Sequence, residues 1–261
     1  MNQSYITRFL PYEADYKLLS KCRSISMWIL IIISIFSIAL PLIDYFNITH
    51  LHNVVNFLYF ILIISYFILD IYTETFLYPA TARKRRKGFI DNALGSKFLE
   101  KPVENYYTND RIEIGPYKMI VNCGENCFFT LNIARKMTVN IVLKNIIFTL
   151  LFCSIAYLGI MNSLIAIPVM QILFSTLFLT ELVHHINFVV KLNLQFERFK
   201  EVFQNKPNKK TIFQQALLLY LDYETTLAYN KAPLSDSVYN NLKEKLTREW
   251  EEIKNRYELE K

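Results

Sequence analysis

Glycine is scarce in this chain, with five among 261 residues. That leaves no Gly-rich phosphate-cradling loop, which needs several close-set glycines to let backbone N–H groups approach a phosphate. Histidine is almost as rare, at four residues. No HExxH zinc pattern and no GxSxG nucleophile elbow occurs. Adjacent His184 and His185 would point about 100° apart on a helix and so seldom share a metal. His50 and His52 sit in a short connecting segment. Cysteine gives no framework either. Cys22, Cys123, Cys127 and Cys153 are too few and too scattered for a disulfide scaffold, and Cys123 and Cys127 lack a third or fourth zinc ligand nearby. We therefore expect no enzyme, no metal site and no cofactor, with Cys123 and Cys127 as packing residues on one helix face.

Charge is also missing from particular places. The segments Asn47–Asn53 and Asn162–Ser163 contain no Lys or Arg, although the chain carries 29. Between and around them lie four apolar stretches, Ile25–Phe46, Val54–Leu77, Val139–Met161 and Leu164–Val190. Each is near the roughly 20 residues a helix needs to cross about 30 Å of hydrocarbon. Four basic residues precede the first stretch, eleven lie in Tyr78–Thr138, thirteen follow Val190, and Lys144 falls inside a stretch. The positive-inside rule then places both termini and the middle segment on the cytosolic side. The first 24 residues are polar and mixed, so the first stretch reads as an uncleaved anchor rather than a signal peptide. The net charge of +6 is accounted for by these inside segments, and no DNA or RNA partner is expected. The organisation is a cytosolic N-terminal segment (1–24), a first transmembrane hairpin (25–77), a cytosolic insertion (78–138), a second hairpin (139–190) and a cytosolic tail (191–261). The fold class is an all-α integral membrane protein with four transmembrane helices and a helical cytosolic layer.

Periodicity fills in the layer. Pro79 is placed to start or kink the continuation of the second span, and Gly95 reads as a helix stop. The stretch 97–116 reads as a loop or a short hairpin. Ile120, Cys123, Cys127, Leu131 and Ala134 form a helical apolar stripe leading into the third span. Leu192, Phe196, Phe199 and Phe203 extend the fourth span until Asn205-Lys206-Pro207-Asn208 breaks it. A next helix would bury Phe213, Ala216, Leu217, Tyr220 and Leu221. A last one, N-capped by Ser235 after Pro233, carries Tyr239, Leu242, Leu246, Trp250, Ile253 and Tyr257. That last stripe reads first as packing onto the layer and second as a subunit contact. Pro41 and Pro168 lie near outer span ends, where they are tolerated.

Two groups of polar residues stand out. Asp70, Lys144, Glu181 and His185 fall at a similar depth near the inner ends of the spans, and Gln171 and Ser175 extend a polar arc on the fourth. Asp70 shares a face with Glu74 and Tyr66. These residues read as helix–helix glue, as charges wetted at the headgroups, or as one polar cluster lining a water path or subunit seam. The second group is Arg83, Arg85 and Arg86, which with Tyr106 and Tyr107 offers the cations and stacking rings an anionic ligand requires. The plain alternative for the run Arg83-Lys84-Arg85-Arg86-Lys87 is a topology anchor beside anionic lipid.

The segment Phe76-Leu77-Tyr78-Pro79 runs into Arg83–Lys87 and then Phe89-Ile90-Asp91-Asn92-Ala93-Leu94-Gly95. Together with Pro233-Leu234-Ser235 through Trp250-Glu251-Glu252-Ile253, and the two-span, insertion, two-span, tail layout, it resembles the SMODS-associating four-transmembrane effectors of bacterial cyclic-oligonucleotide anti-phage operons. The resemblance is mainly one of architecture. It implies an effector that disrupts the inner membrane when a cytosolic nucleotide signal, here a cyclic oligonucleotide, arrives. Separately, four helices can hardly enclose an aqueous path while burying their charges, so a permeabilising effector is expected to act as a homo-oligomer. It assigns no pocket residues. Two other readings stand beside it: a non-enzymatic anchor or sensor subunit that recruits a cytosolic partner, and a small transporter.

Overall fold

The computed structural model describes residues 9–159, 178–206, 208–230 and 235–260. Arg8, the joint Asn162–Ser163, most of the fourth expected span with Pro168, Gln171 and Ser175, and Pro207, Pro233 and Leu234 lie outside them. The described elements are all helical: α1 (Glu13–Tyr45), α2 (Thr49–Ile71), a π-helical segment (Tyr72–Leu77), α3 (Tyr78–Leu94), α4 (Pro116–Gly159), α5 (Phe178–Asn205), α6 (Ile212–Asn230) and α7 (Asp236–Tyr257). Among the described residues there is no strand, only an isolated antiparallel bridge between Phe9 and Glu104. The chain divides into two compact units.

One unit, Pro11–Arg86 with Ile146–Phe178, is built on a hairpin of α1 and α2. Asn47 makes the turn in the left-handed region (φ 56°), with its N–H donating to Asp44 O at 2.9 Å. Asn is among the few residues that adopt this conformation readily. Asp44 also pairs with His52 Nδ1 at 2.6 Å across the turn. At the other end Arg23 donates from Nε and Nη2 to Glu74 Oε1, at 3.0 and 2.9 Å, and lies over the Tyr78 ring. The π-helical turn has a cause in sequence. Pro79 has no N–H to offer the Thr75 carbonyl, and its ring crowds that oxygen. Widening the turn accommodates the ring, and Tyr78 N–H bonds back five residues to Thr73 O. Both helices of the hairpin are long and apolar enough to cross a membrane, and none of their most apolar windows is buried. Trp28, Phe57, Phe60, Phe67 and Ile68 all project outward. A helix that is apolar all round calls for an apolar surrounding.

The other unit, Met1–Leu10, Lys87–Asn145 and Leu179–Lys261, holds the hydrophobic core. The α4 stripe Ile120, Cys123, Cys127, Leu131 and Ala134 is buried, as is the α5 stripe Leu192, Phe196, Phe199 and Phe203. Trp250 of α7 is fully buried between Phe128 and Phe203, at ring distances of 5.9 and 6.3 Å. Gly124 on α4 makes room for this aromatic layer, since a Cβ there would stand 2.6 Å from Phe203 Cζ. Helix ends follow their expected chemistry. Gly95 (φ 71°) terminates α3, and the Ser235 hydroxyl accepts the Val238 N–H at the start of α7. At the far end of α7 Glu258 turns left-handed, and buried Leu259 donates to Lys254 O at 3.0 Å.

The segment 95–115 is a loop, not a hairpin. Its ends are drawn together by Gly115 N–H on Ala93 O, and Asp91 holds its start by accepting from Ser96 Oγ, Phe98 N and Leu99 N. The strand-like pairing within it is made with Phe9, by two hydrogen bonds of 3.0 Å to Glu104. A second expectation is corrected on α6. The buried face is Ala216, Leu219, Tyr220, Tyr223 and Glu224, while Phe213, Leu217 and Leu221 are exposed. α6 is apolar on both sides, so periodicity alone could not tell which side faces the core.

Candidate functional site

The four charged or titratable residues at similar sequence depth fall into three places. Lys144 on α4 and Glu181 on α5 form a half-exposed ion pair. His185, one turn beyond Glu181, is buried and bonds elsewhere. Its Nε2 lies 3.0 Å from Ala134 O and 3.1 Å from Thr138 Oγ1. The carbonyl can only accept, so Nε2 carries the hydrogen, and the ring locks α5 against α4 through that nitrogen. Asp70 is half-buried on α2 and belongs to the hairpin unit.

The ligand candidates also separate. Arg83 is exposed on α3, and Arg85 and Arg86 are half-buried there, within the hairpin unit. Tyr106 and Tyr107 belong to the other unit. Tyr107 is a core residue: its ring meets Phe89 at 6.2 Å and Tyr106 at 4.7 Å, and its hydroxyl accepts from Asn126 Nδ2 at 3.2 Å. A ring enclosed in this way has no face on which a base can stack, which withdraws Tyr107 from the ligand set.

The most developed polar constellation is one that the sequence reading did not single out. Asn109, fully buried, donates through Nδ2 to Asn122 Oδ1 at 2.9 Å and to Glu125 Oε2 at 2.6 Å. Asn122 donates to Asn92 Oδ1 at 2.8 Å. Thr108 Oγ1 donates to Glu125 Oε1 at 3.2 Å, and Trp250 Nε1 reaches Asn109 Oδ1 at 3.4 Å. Lys254, also buried, donates to Thr108 O at 2.9 Å and pairs with Glu260 and Glu251 at 2.7 and 2.8 Å. Each buried polar group here finds a partner, as burial requires. The network fastens the 95–115 loop to α3, α4 and α7.

Two members have shifted acidities. Burial raises the Glu125 carboxyl to about 7, against the opposing pull of hydrogen bonds from Thr108, the Lys254 charge and the Asn109 bond. For Lys254, burial works against the charge, but hydrogen bonds to Glu251 and Glu260 outweigh it and hold the ammonium above its ordinary range. Burial pushes the Cys127 thiol up as well, which makes it unreactive. A signal for this network did exist in the sequence. Lys118, Asn122 and Glu125 recur at spacings of 4 and 3 on α4, a polar stripe beside the apolar one, and all three are buried. The arrangement holds a carboxyl between protonation states near neutral pH and fixes a loop.

Comparison with known proteins finds no matching family model, no matching curated protein and no matching solved structure.

Proposed function

We propose that this chain is a membrane-embedded effector that permeabilises the bilayer when a cytosolic signal reaches its helical layer. The observation that carries the reading is the contrast between the two units. One presents, among the described residues, apolar helices whose most apolar windows are unburied, and the other has a closed core and a buried polar network. Helix α4 supports a link between signal and membrane. Its 44 residues extend about 66 Å at 1.5 Å per residue, twice the hydrocarbon thickness, which is long enough on this reading to serve both the layer and a span. The second span likewise leads into α3 with no loop between, through the π-helical turn. A ligand that binds the layer better in one conformation biases the attached spans by that difference in affinity.

On this reading there are four spans with both termini cytosolic, supported by the Lys/Arg asymmetry. The ligand class is a cyclic oligonucleotide in anti-phage defence, supported only by the family resemblance. Several copies act together, because four helices can hardly enclose an aqueous path while burying their charges. The test is induced expression with a cyclic-oligonucleotide synthase, followed by entry of a membrane-impermeant dye. Dye entry that requires both proteins supports the reading, whereas intact membranes with the protein fully inserted oppose it. The half-exposed Lys144–Glu181 pair favours one rival, the anchor subunit, in which such charges are merely solvated and dispensable.

A further inference from the structure

We infer that α6 is the surface through which two copies of this chain pair in the membrane, helix against helix. The inference rests on the membrane reading above and names a partner and a place for its self-association.

The exposed side of α6 carries Gln214, Leu218, Leu221, Thr225 and Ala228. Their spacings are 4, 3, 4 and 3, the 3.5-residue repeat with which two helices mesh along a seam. Leu218 and Leu221 are 60% and 51% exposed, on a helix whose other side is already in the core. A helix apolar on both sides is normally covered on both.

Position argues for protein as the cover. Gln195 on α5 donates to Leu219 O, and Arg198 pairs with Asp222, so the middle of α6 lies beside residues 195–198. Those residues are five to eight positions past Val190, or about 8–12 Å along the helix. The headgroup region adds only about 5–8 Å to each side of the hydrocarbon. The middle of the seam, with Leu218 and Leu221, therefore lies beyond the reach of the lipid tails.

Charge argues for a second copy. Helix α6 contains no Lys or Arg; Asp222 is answered by Arg198 and Glu224 is buried. The chain as a whole carries +6, so most self-apposed faces would repel. The α6 seam is a surface on which like meets like without that cost. A bilayer holds copies at one height and in one orientation, which brings identical faces together across a twofold axis along the membrane normal. Thr225 and Ala228 are small enough for close approach. Five seam positions fall short of the roughly 800 Å² per partner of a stable soluble interface, so pairing depends on confinement to the membrane.

The experiment is oxidative cross-linking of the full-length protein in native membranes, with exposed Cys153 replaced by Ser and buried Cys22, Cys123 and Cys127 retained. Leu218→Cys and Leu221→Cys are expected to give disulfide-linked dimers. Lys245→Cys, exposed on α7, is expected to give only background. Adding Leu218→Glu to Thr225→Cys should abolish cross-linking at 225. Equal cross-linking at all sites overturns the inference. So does Leu221→Cys that is shielded from an impermeant maleimide yet never self-linked, or labelled instead by a lipid-phase probe. Alkaline extraction reads the membrane assignment separately: protein stripped from the bilayer overturns that reading, whereas protein retained but not self-linked overturns the α6 pairing alone.

Discussion

Asn109 donates a 2.6 Å hydrogen bond to Glu125, and burial there raises the Glu125 carboxyl to about 7. The folded state therefore binds this proton more tightly than the unfolded chain does. The stabilisation is complete below pH about 4.5 and is lost as pH rises through about 7. The full swing is about 3 kcal/mol, from roughly 2.5 pKa units at 1.36 kcal/mol each. Lys254 stays charged throughout this window and adds no slope. Melting temperature measured from pH 5 to 8 should fall with rising pH in the native protein and stay flatter in Glu125→Gln. An equal slope in both would remove Glu125 as the cause.

Gly124→Ala should destabilise the layer even though alanine is the better helix former. Propensity gains about 1 kcal/mol. The new Cβ stands 2.6 Å from Phe203 Cζ, inside a ring cluster with Trp250 and Tyr257, and overpacking of this kind costs about 1–3 kcal/mol. Denaturant midpoints would show the loss, and Phe203→Leu in the same chain should recover part of it. A Gly124→Ala midpoint above that of the native protein would contradict this packing.

Orientation is open to reporter fusions. Fusions at Asn105 and at the C-terminus should report a cytosolic location, and one at Asn53 an outside location. An outside signal at Asn105 would reverse the topology.

Lys144 and Glu181 pair between α4 and α5. An isolated charge at a bilayer centre costs about 2.5–3.5 kcal/mol on insertion scales, and less near the interface. Glu181→Gln should change leakage at constant protein in the membrane. Lys144→Met strands its acid, and adding Glu181→Leu should restore part of the activity. Unchanged potential-sensitive dye release from all three variants would favour the anchor reading.

Much of the layer was legible because single-faced helices declare themselves. The α4 and α5 stripes are buried residue for residue, and Gly95 and Ser235 end and begin helices where their chemistry requires. Helix α6 was misread because Leu217 and Leu221 fit an apolar stripe as well as Leu219 and Tyr223 do. Tyr107 looked like a stacking ring because a loop aromatic carries no sign of what will fold over it. The Glu125 network joins residues up to 146 positions apart, and only its α4 stripe had a local pattern. Asp70, Lys144 and Glu181 shared a sequence depth, but depth alone does not specify which faces meet.

The most direct test reconstitutes purified protein in sealed anionic vesicles loaded with a self-quenching dye. A panel of cyclic di- and trinucleotides is then added. The account predicts tight vesicles without nucleotide and dye release with at least one member of the panel, lost in Leu218→Glu at equal incorporation. Vesicles that stay sealed under every condition, with the protein inserted and folded, would contradict it.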